Sequence, residues 1–232
     1  MVKRAKDYLT PDTIAAKCDD YLAHIRSRVR PRPQLVLHPP HCALLVIDMV
    51  QYFADPQGRA YLPASRAIVE RIAKLLLMWR SLSAPVFFTR HCHRGPSDLG
   101  MLGRFYNDYI RCDAPEASII EALAPNPRER VVRKTTYDSF HDTPLADLLA
   151  ECGAKQVLIC GVLTHLCCET TARSAFVRGY EVYLPVDATC SSSEALHLGS
   201  LLGLADGVAV LHSTDEILAM DDTLDWTAVD VQ

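Results

Sequence analysis

The sequence predicts an α/β fold: a three-layer sandwich in which helices cover both faces of a mostly parallel, Rossmann-like sheet of about six strands. Two observations predict this class. From residue 42 onward, short runs rich in apolar residues recur along the chain, as is typical of strands that are buried on both faces. Segments with helical spacing of apolar residues lie between most of these runs, and a parallel sheet needs such crossovers between its strands.

The individual elements follow from these two patterns. The apolar runs predict strands at residues 42–47, 85–89, 130–133, 156–162, 181–186 and 207–211. The helical spacing predicts helices at residues 64–81, 144–152, 164–178 and 194–204. The long segment between residues 90 and 115 is polar and irregular, and we expect it to form a loop.

The first forty residues differ from the rest of the chain. Apolar residues at helical spacing between Ile14 and Val29 predict an amphipathic helix, with Thr10 as its cap and Pro11 at its first position. Four prolines between residues 31 and 40 cannot continue that helix. We therefore expect a helix with a proline-rich tether at 1–40 and an α/β domain at 41–232. The helix must bury its apolar side on its own domain or on a neighbouring subunit, and the sequence leaves both places open.

Composition narrows the class of function. The chain has 232 residues, of which 49% are hydrophobic and 22% charged, and its formal net charge is -4. That is enough apolar material for a large core. The charge balance is near neutral and slightly acidic, so it favours neither a nucleic-acid partner nor a polybasic membrane partner.

The cysteines indicate the redox environment. There are nine, an odd number with irregular spacing, and the polar N-terminus does not resemble a signal sequence. A secreted disulfide framework is typically denser and found in shorter chains. We therefore expect a cytoplasmic protein in which most cysteines are buried thiols and one is reactive.

Polar residues that end the apolar runs predict the site, because ligands of an open parallel sheet bind beyond the carboxyl ends of its strands. Asp48 ends the first run, Lys134 ends the third, and Cys167 follows the fourth. If Thr164 caps the next helix, Cys167 lies in its first turn, where the helix dipole and Lys134 would lower the thiol pKa and Asp48 would accept the proton. Taken alone, each residue is better explained as structural, as a buried thiol, a strand-end carboxylate or a solvated lysine.

Four segments of the chain form a set of motifs: DMVQYF at 48–53, KTTYDSF at 134–140, GVLTHLCCETTA at 161–172 and the Asp-Ala pair at 187–188. In this order they resemble the motifs of the isochorismatase-like cysteine hydrolases, a family that includes nicotinamidase and N-carbamoylsarcosine amidase. The similarity spans about residues 42 to 220.

The resemblance implies an Asp48–Lys134–Cys167 triad that hydrolyses C–N bonds of small amides, ureides or carbamoyl compounds through a thioester. It also implies a cis peptide bond between Val162 and Leu163, and an oxyanion hole formed by the N–H groups of Leu163 and Cys167. We expect no organic cofactor and no metal. We expect the protein to form a homo-oligomer.

Several alternatives stay open at this level. The isochorismatase branch cleaves a vinyl ether without a covalent nucleophile, and a non-catalytic scaffold or redox sensor would keep the fold alone. Nicotinamidases carry a metal-binding Asp-x-His that His91-Cys92-His93 resembles, with Asp98 as a candidate third ligand. Of the two adjacent cysteines, we expect Cys168 to fill the core. Residues predicted to line the substrate pocket are Phe53, His91, Tyr137 and Phe140.

Overall fold

Seven strands form one sheet in the computed structural model, which describes residues 7–220. The strands are β1 (Cys42–Ile47), β2 (Val86–His91), β3 (Arg130–Lys134), β4 (Gln156–Val162), β5 (Glu181–Pro185), β6 (Thr189–Cys190) and β7 (Ala209–His212). The helices are α1 (Ile14–Arg26), α2 (Gln51–Ala54), α3 (Ser65–Ser81), α4 (Leu102–Phe105), α5 (Leu145–Glu151), α6 (Glu169–Val177), α7 (Glu194–Gly207) and α8 (Thr214–Leu218).

The sheet confirms the predicted parallel architecture. Its strand order is β3-β2-β1-β4-β5-β7, and every neighbouring pair is parallel. β6 pairs with the end of β4, also in parallel. This additional strand has only two residues, which is too short to produce a recognisable apolar run in the sequence.

Helices cover both faces of the sheet, as predicted. Successive side chains of a strand point to opposite faces. Leu44 and Val46 of β1 accordingly pack in one buried cluster with residues of α3 and α8, whereas Ala43 and Leu45 pack in another with residues of α1, α5, α6 and α7. Every residue of β1 and β4 is buried, which explains why both runs are apolar apart from Gln156 at the start of β4.

The N-terminal helix α1 packs against its own chain. Lys17 of α1 forms an ion pair with Glu194 at the start of α7, and Arg26 forms a two-point ion pair with Glu216 of α8. Its buried residues are Ile14, Cys18, Tyr21, Leu22 and Ile25. The sequence left two packing places open for this helix, and in this structure it packs on its own domain. The predicted domain boundary at residue 40 stays a prediction.

Two helix starts differ from the predictions. α1 begins at Ile14, and Pro11 lies in the turn before it and not at the first helical position. The helix expected at 164–178 opens with one wide π-helical turn at 164–168 before α6 begins. The Thr164 side chain does not cap this helix, because its hydroxyl pairs with His197 of α7.

The segment 90–115 is more ordered than a plain loop. It contains α4, and a disulfide joins Cys92 to Cys112 across it. The expectation of reduced thiols is therefore wrong for this pair. It holds for the other seven cysteines, which are free, and all of them except Cys152 are buried. No helix within residues 7–220 has the length and apolar character needed to cross a bilayer.

Candidate active site

Three polar side chains meet at the carboxyl edge of the sheet. Asp48 directly follows β1, Lys134 is the last residue of β3, and Cys167 lies in the wide turn that follows β4. β3, β2, β1 and β4 are neighbours, so their carboxyl ends converge. The structure thus brings together the three residues expected to be catalytic, and their roles stay predictions.

The Lys134 ammonium group is at the centre of this cluster. Its Nζ lies 2.6 Å from Asp48 Oδ2 and 3.2 Å from Cys167 Sγ, and it donates to the backbone oxygen of Thr136 at 2.9 Å. The ammonium thus donates two hydrogen bonds and forms an ion pair with the Asp48 carboxylate, whose Oδ2 accepts no hydrogen bond among residues 7–220. The exposed fractions are 0% for Asp48, 1% for Lys134 and 4% for Cys167, so all three residues are buried.

Two neighbours hold Asp48 in place. Thr89 of β2 donates its hydroxyl to Asp48 Oδ1 at 2.7 Å and accepts from the Asp48 backbone N–H at 3.1 Å. Gly161 of β4 has a φ of 108°, and a Cβ there would lie 2.1 Å from the Ile47 carbonyl oxygen, so only glycine fits. Thr89 was not among the predicted site residues. A threonine that ends the apolar run PVFFT is the signal that could have pointed to it.

Burial determines the protonation of these groups. Removal from water would raise the pKa of Asp48, but the Lys134 ammonium outweighs it and the pKa lies below its usual value. Removal from water would lower the pKa of Lys134, but Asp48 holds it at about 12. Burial raises the pKa of the Cys167 thiol to about 12, and Lys134 offsets this only in part. The expectation of an ionised thiol is therefore wrong, and the resting site has a carboxylate, an ammonium and a neutral thiol.

The chain turns sharply between β4 and Cys167. The peptide bond between Val162 and Leu163 is cis, as the family resemblance implied. The Leu163 carbonyl accepts from the N–H groups of Leu166 and Cys168, at 3.1 and 3.2 Å. Among residues 7–220 the Leu163 N–H has no acceptor, so it is free to donate to a substrate oxygen. The oxyanion hole of Leu163 and Cys167 stays a prediction.

Of the predicted lining aromatics, Tyr137 lies near the cluster, and the place of Phe53 stays a prediction. Burial raises the pKa of the Tyr137 hydroxyl, the nearby Tyr106 and Cys167 raise it further, and the hydroxyls of Tyr137 and Tyr106 are 3.1 Å apart. Phe53 of α2 is half-buried, with its ring edge against Tyr52. α2 begins three residues after Asp48, so Phe53 remains a candidate for one wall of the pocket.

Phe140 is placed elsewhere. Its ring is buried between the guanidinium of Arg178, 4.7 Å away, and the ring of Tyr180. Both partners follow the C-terminal end of α6, a helix about 13 Å long, whereas Cys167 precedes its N-terminal end. The structure does not bring Phe140 to the site, because the chain after Tyr137 turns towards the core.

Two imidazoles extend the cluster along β2. Burial, with Lys134 nearby, lowers the pKa of His91 to about 3, so its ring is neutral, and its Nε2 lies 3.2 Å from Nε2 of His93. The third candidate ligand, Asp98, pairs its carboxylate with Arg133 at 3.0 Å. Within residues 7–220, no three His, Cys, Asp or Glu side chains are grouped as metal ligands. Asp98 Oδ1 also lies 3.4 Å from Nδ1 of His93, so the three candidate residues are neighbours, and the expectation that no metal is bound stays a prediction.

Comparisons with known proteins place the chain in a family. A profile described as "Isochorismatase domain" matches residues 42–216. Nicotinamidase 3 of Arabidopsis thaliana is 40% identical over 179 residues, which are 75% of this chain and 86% of that protein. Enterobactin synthase component B of Escherichia coli K12 is 29% identical over 181 residues, 78% of this chain and 63% of the relative.

A solved structure agrees. The crystal structure of a cysteine hydrolase from Pseudomonas syringae pv. phaseolicola 1448A has a TM-score of 0.78 and 30% sequence identity, covering 82% of this chain and 96% of that chain. The matched profile includes all seven strands and the Asp48, Lys134 and Cys167 cluster. The chain therefore belongs to the isochorismatase family and is a hydrolase of that family.

Proposed function

We propose that this protein is a cysteine-dependent amidohydrolase that cleaves a C–N bond of a small amide, ureide or carbamoyl compound. The observation that carries the proposal is the placement of one ammonium, Lys134, within 2.6 Å of the Asp48 carboxylate and 3.2 Å of the Cys167 sulfur. Of the substrate classes named here, the similarity to Nicotinamidase 3 favours an amide as the substrate of this protein.

In the first half of the reaction, the Cys167 sulfur attacks the substrate carbonyl carbon. The thiol is neutral at rest, so its proton passes to the Asp48 carboxylate as the C–S bond forms. The carbonyl oxygen becomes an oxyanion, which the N–H groups of Leu163 and Cys167 stabilise. The proton then passes from Asp48 to the departing nitrogen, the C–N bond breaks, and ammonia or an amine leaves behind a thioester.

In the second half, water replaces the departed amine. Asp48 accepts a proton from the water as it attacks the thioester carbonyl, and returns that proton to the sulfur as the C–S bond breaks. Lys134 stays protonated throughout, since its pKa is about 12, and it keeps the Asp48 carboxylate aligned with the sulfur. The net reaction consumes one water and yields ammonia or an amine together with an acid. The acid is a carboxylic acid when the substrate is an amide, and a carbamic acid, which breaks down to carbon dioxide and an amine or ammonia, when it is a ureide or carbamoyl compound.

The test is ammonia release from a panel of primary amides, ureides and carbamoyl compounds. Cys167→Ala should abolish turnover of any active member of the panel. Cys152→Ala is the matched control, because that thiol is free and exposed and follows α5, near the opposite edge of the sheet. Undiminished turnover by Cys167→Ala would overturn the covalent mechanism.

A second candidate is hydrolysis of a vinyl ether. The profile that matches this chain is described as an isochorismatase domain, and this observation favours including isochorismate in the same panel. Pyruvate release that survives Cys167→Ala would favour this reaction. An assay with no activity on any compound would favour a non-catalytic scaffold or redox sensor.

The setting of the reaction is also a proposal. We propose a cytoplasmic homo-oligomer that needs no organic cofactor. Light scattering on the purified protein tests the assembly. The state of the Cys92–Cys112 pair in protein taken directly from cells tests the compartment, because disulfides persist mainly in oxidising ones.

A further inference from the structure

The residues before the α/β domain reach the turn that carries the nucleophile. We infer that α1 and Tyr8 position the 164–168 turn, and with it Cys167, by means of contacts that pass through α7 and through Ser191. This inference rests on the proposed function, because it assigns to the N-terminal segment a role in the same reaction. The residues concerned are positioning residues, since none of them contacts the three groups of the reacting cluster.

The first step is the contact between α7 and the turn. The Thr164 hydroxyl lies 2.8 Å from Nδ1 of His197, and the Thr164 carbonyl accepts from the Ser200 hydroxyl at 3.2 Å. Thr164 and His197 have no exposed surface, and Ser200 has 5%. His197 and Ser200 are one helical turn apart on α7, so the helix holds the side chain and the backbone of Thr164 together. Thr164 is three residues before the nucleophile.

The second step is the contact between α1 and α7. Glu194, one turn before His197, accepts from Lys17 at 2.6 Å and from the Tyr21 hydroxyl at 2.7 Å. The Tyr21 ring also lies edge-on against the His197 ring, with 5.5 Å between centroids. α1 therefore fixes the position of α7 along its axis and the plane of the imidazole that bonds Thr164. Burial lowers the pKa of His197 to about 4, so this imidazole is neutral at physiological pH.

A second route joins Tyr8 to the same turn. The Tyr8 hydroxyl accepts from the Ser191 backbone N–H at 2.9 Å. The Ser191 hydroxyl lies 2.9 Å from His165 Nδ1 and accepts from the His165 backbone N–H at 3.4 Å. The two routes thus end on consecutive residues, Thr164 and His165. Their backbone sets the direction of the Cys167 N–H that is predicted to bind the oxyanion.

A purely structural role for α1 would predict a different outcome from a positioning role. If α1 only covers apolar surface, weakening its contacts lowers stability and leaves the folded enzyme as active as before. If α1 positions the turn, the folded enzyme loses turnover while its substrate affinity is kept, because the geometry of the transition state is disturbed and binding is not. A loosened turn would also make Cys167 more accessible, because this residue is only 4% exposed.

The experiment compares three variants with matched controls. Thr164→Val removes the hydroxyl and keeps the shape of the side chain. It should lower kcat about tenfold, which is the rate equivalent of one buried hydrogen bond, and leave KM within about twofold of the wild-type value. Tyr21→Phe should lower kcat about threefold, because Lys17 still holds Glu194. His197→Asn, which keeps a polar group near the Nδ1 position, should retain more activity than His197→Ala. Arg26→Gln is the control: it breaks an exposed ion pair that is also made by α1 but belongs to neither route, so it should leave kcat unchanged.

A second readout separates this inference from the proposed function. Alkylation of Cys167 by iodoacetamide at pH 9, followed by peptide mass spectrometry, should become at least about threefold faster in Thr164→Val and Tyr21→Phe than in wild type and Arg26→Gln. This measurement needs no substrate, so it tests the positioning of the turn even if no amide is hydrolysed. Variants with lower melting temperatures but wild-type kcat and alkylation rates would overturn the inference. Loss of turnover in Cys167→Ala tests only the proposed function.

Discussion

The ammonium nitrogen of Lys134 lies 3.2 Å from the sulfur of Cys167, yet the pKa of that thiol is raised to about 12. Burial of the thiol outweighs the positive charge of Lys134, and the Asp48 carboxylate, 2.6 Å from the same ammonium, raises the thiol pKa further. The site therefore starts from a thiol that needs a base. This gives Asp48 a specific task, which is to accept the thiol proton during attack.

The protonation of the thiol predicts its reactivity towards iodoacetamide. Only the thiolate reacts, and as long as the pH is below the thiol pKa, each increase of one pH unit raises the thiolate fraction about tenfold. The alkylation rate of Cys167 should therefore keep rising above pH 9. Peptide mass spectrometry follows Cys167 and the exposed Cys152 in the same sample. A rate for Cys167 that levels off below pH 7 would show a preformed thiolate and contradict this account.

The buried ion pair predicts a large effect on stability. Lys134→Met leaves the Asp48 carboxylate as an uncompensated buried charge, and breaking such a pair costs about 3–5 kcal/mol in the free energy of unfolding. The double variant Asp48→Asn/Lys134→Met should recover most of that stability and none of the turnover. Urea unfolding measures the first, and ammonia release measures the second. A single variant as stable as wild type would argue against a charged pair.

Thr89 predicts a site defect that a conservative replacement repairs. Thr89→Val removes the donor to Asp48 Oδ1 and should lower kcat by about tenfold or more, with a loss of about 1–3 kcal/mol in stability from the unpaired buried oxygen. Thr89→Ser keeps the hydroxyl and should retain most of both. Equal activities for the two variants would mean that Thr89 does not orient the carboxylate.

The disulfide predicts a redox-dependent stability. It closes a loop between residues 20 positions apart, and constraining a loop of this length in the unfolded chain is worth about 3 kcal/mol. Cys112→Ser, or treatment with a dithiol, should lower the melting temperature, whereas Cys152→Ser should not. Two free thiols at these positions in the non-reduced protein would contradict the pairing.

The sequence predicted the features that depend on local pattern. The apolar runs located the strands, and the polar residues that end them located Asp48 and Lys134, because strand ends converge whatever the loops do. The contacts of Thr89 with Asp48 and of His197 with Thr164 were not predictable. Each joins residues of separate elements, 41 and 33 positions apart, and depends on how those elements pack.

Two errors at the site have a common cause. The thiol pKa was expected to fall because the nearby ammonium and the helix start are visible in the sequence, whereas the degree of burial of Cys167 is not. The motif that contains Phe140 predicts it at the pocket. The direction of the chain after Tyr137 depends on packing against α6, however, and the sequence does not show that packing. The Cys92–Cys112 pairing likewise could not be chosen from nine irregularly spaced cysteines.

The most direct test of the central claim is acid quenching of the enzyme during turnover of an active amide, followed by mass spectrometry of its peptides. The account predicts a mass increase equal to the substrate's acyl group on the peptide that contains Cys167, which hydroxylamine removes. It also predicts that Cys167→Ala shows neither the adduct nor turnover. Full turnover by Cys167→Ala, with no acyl group on any peptide of the wild-type enzyme, would contradict it.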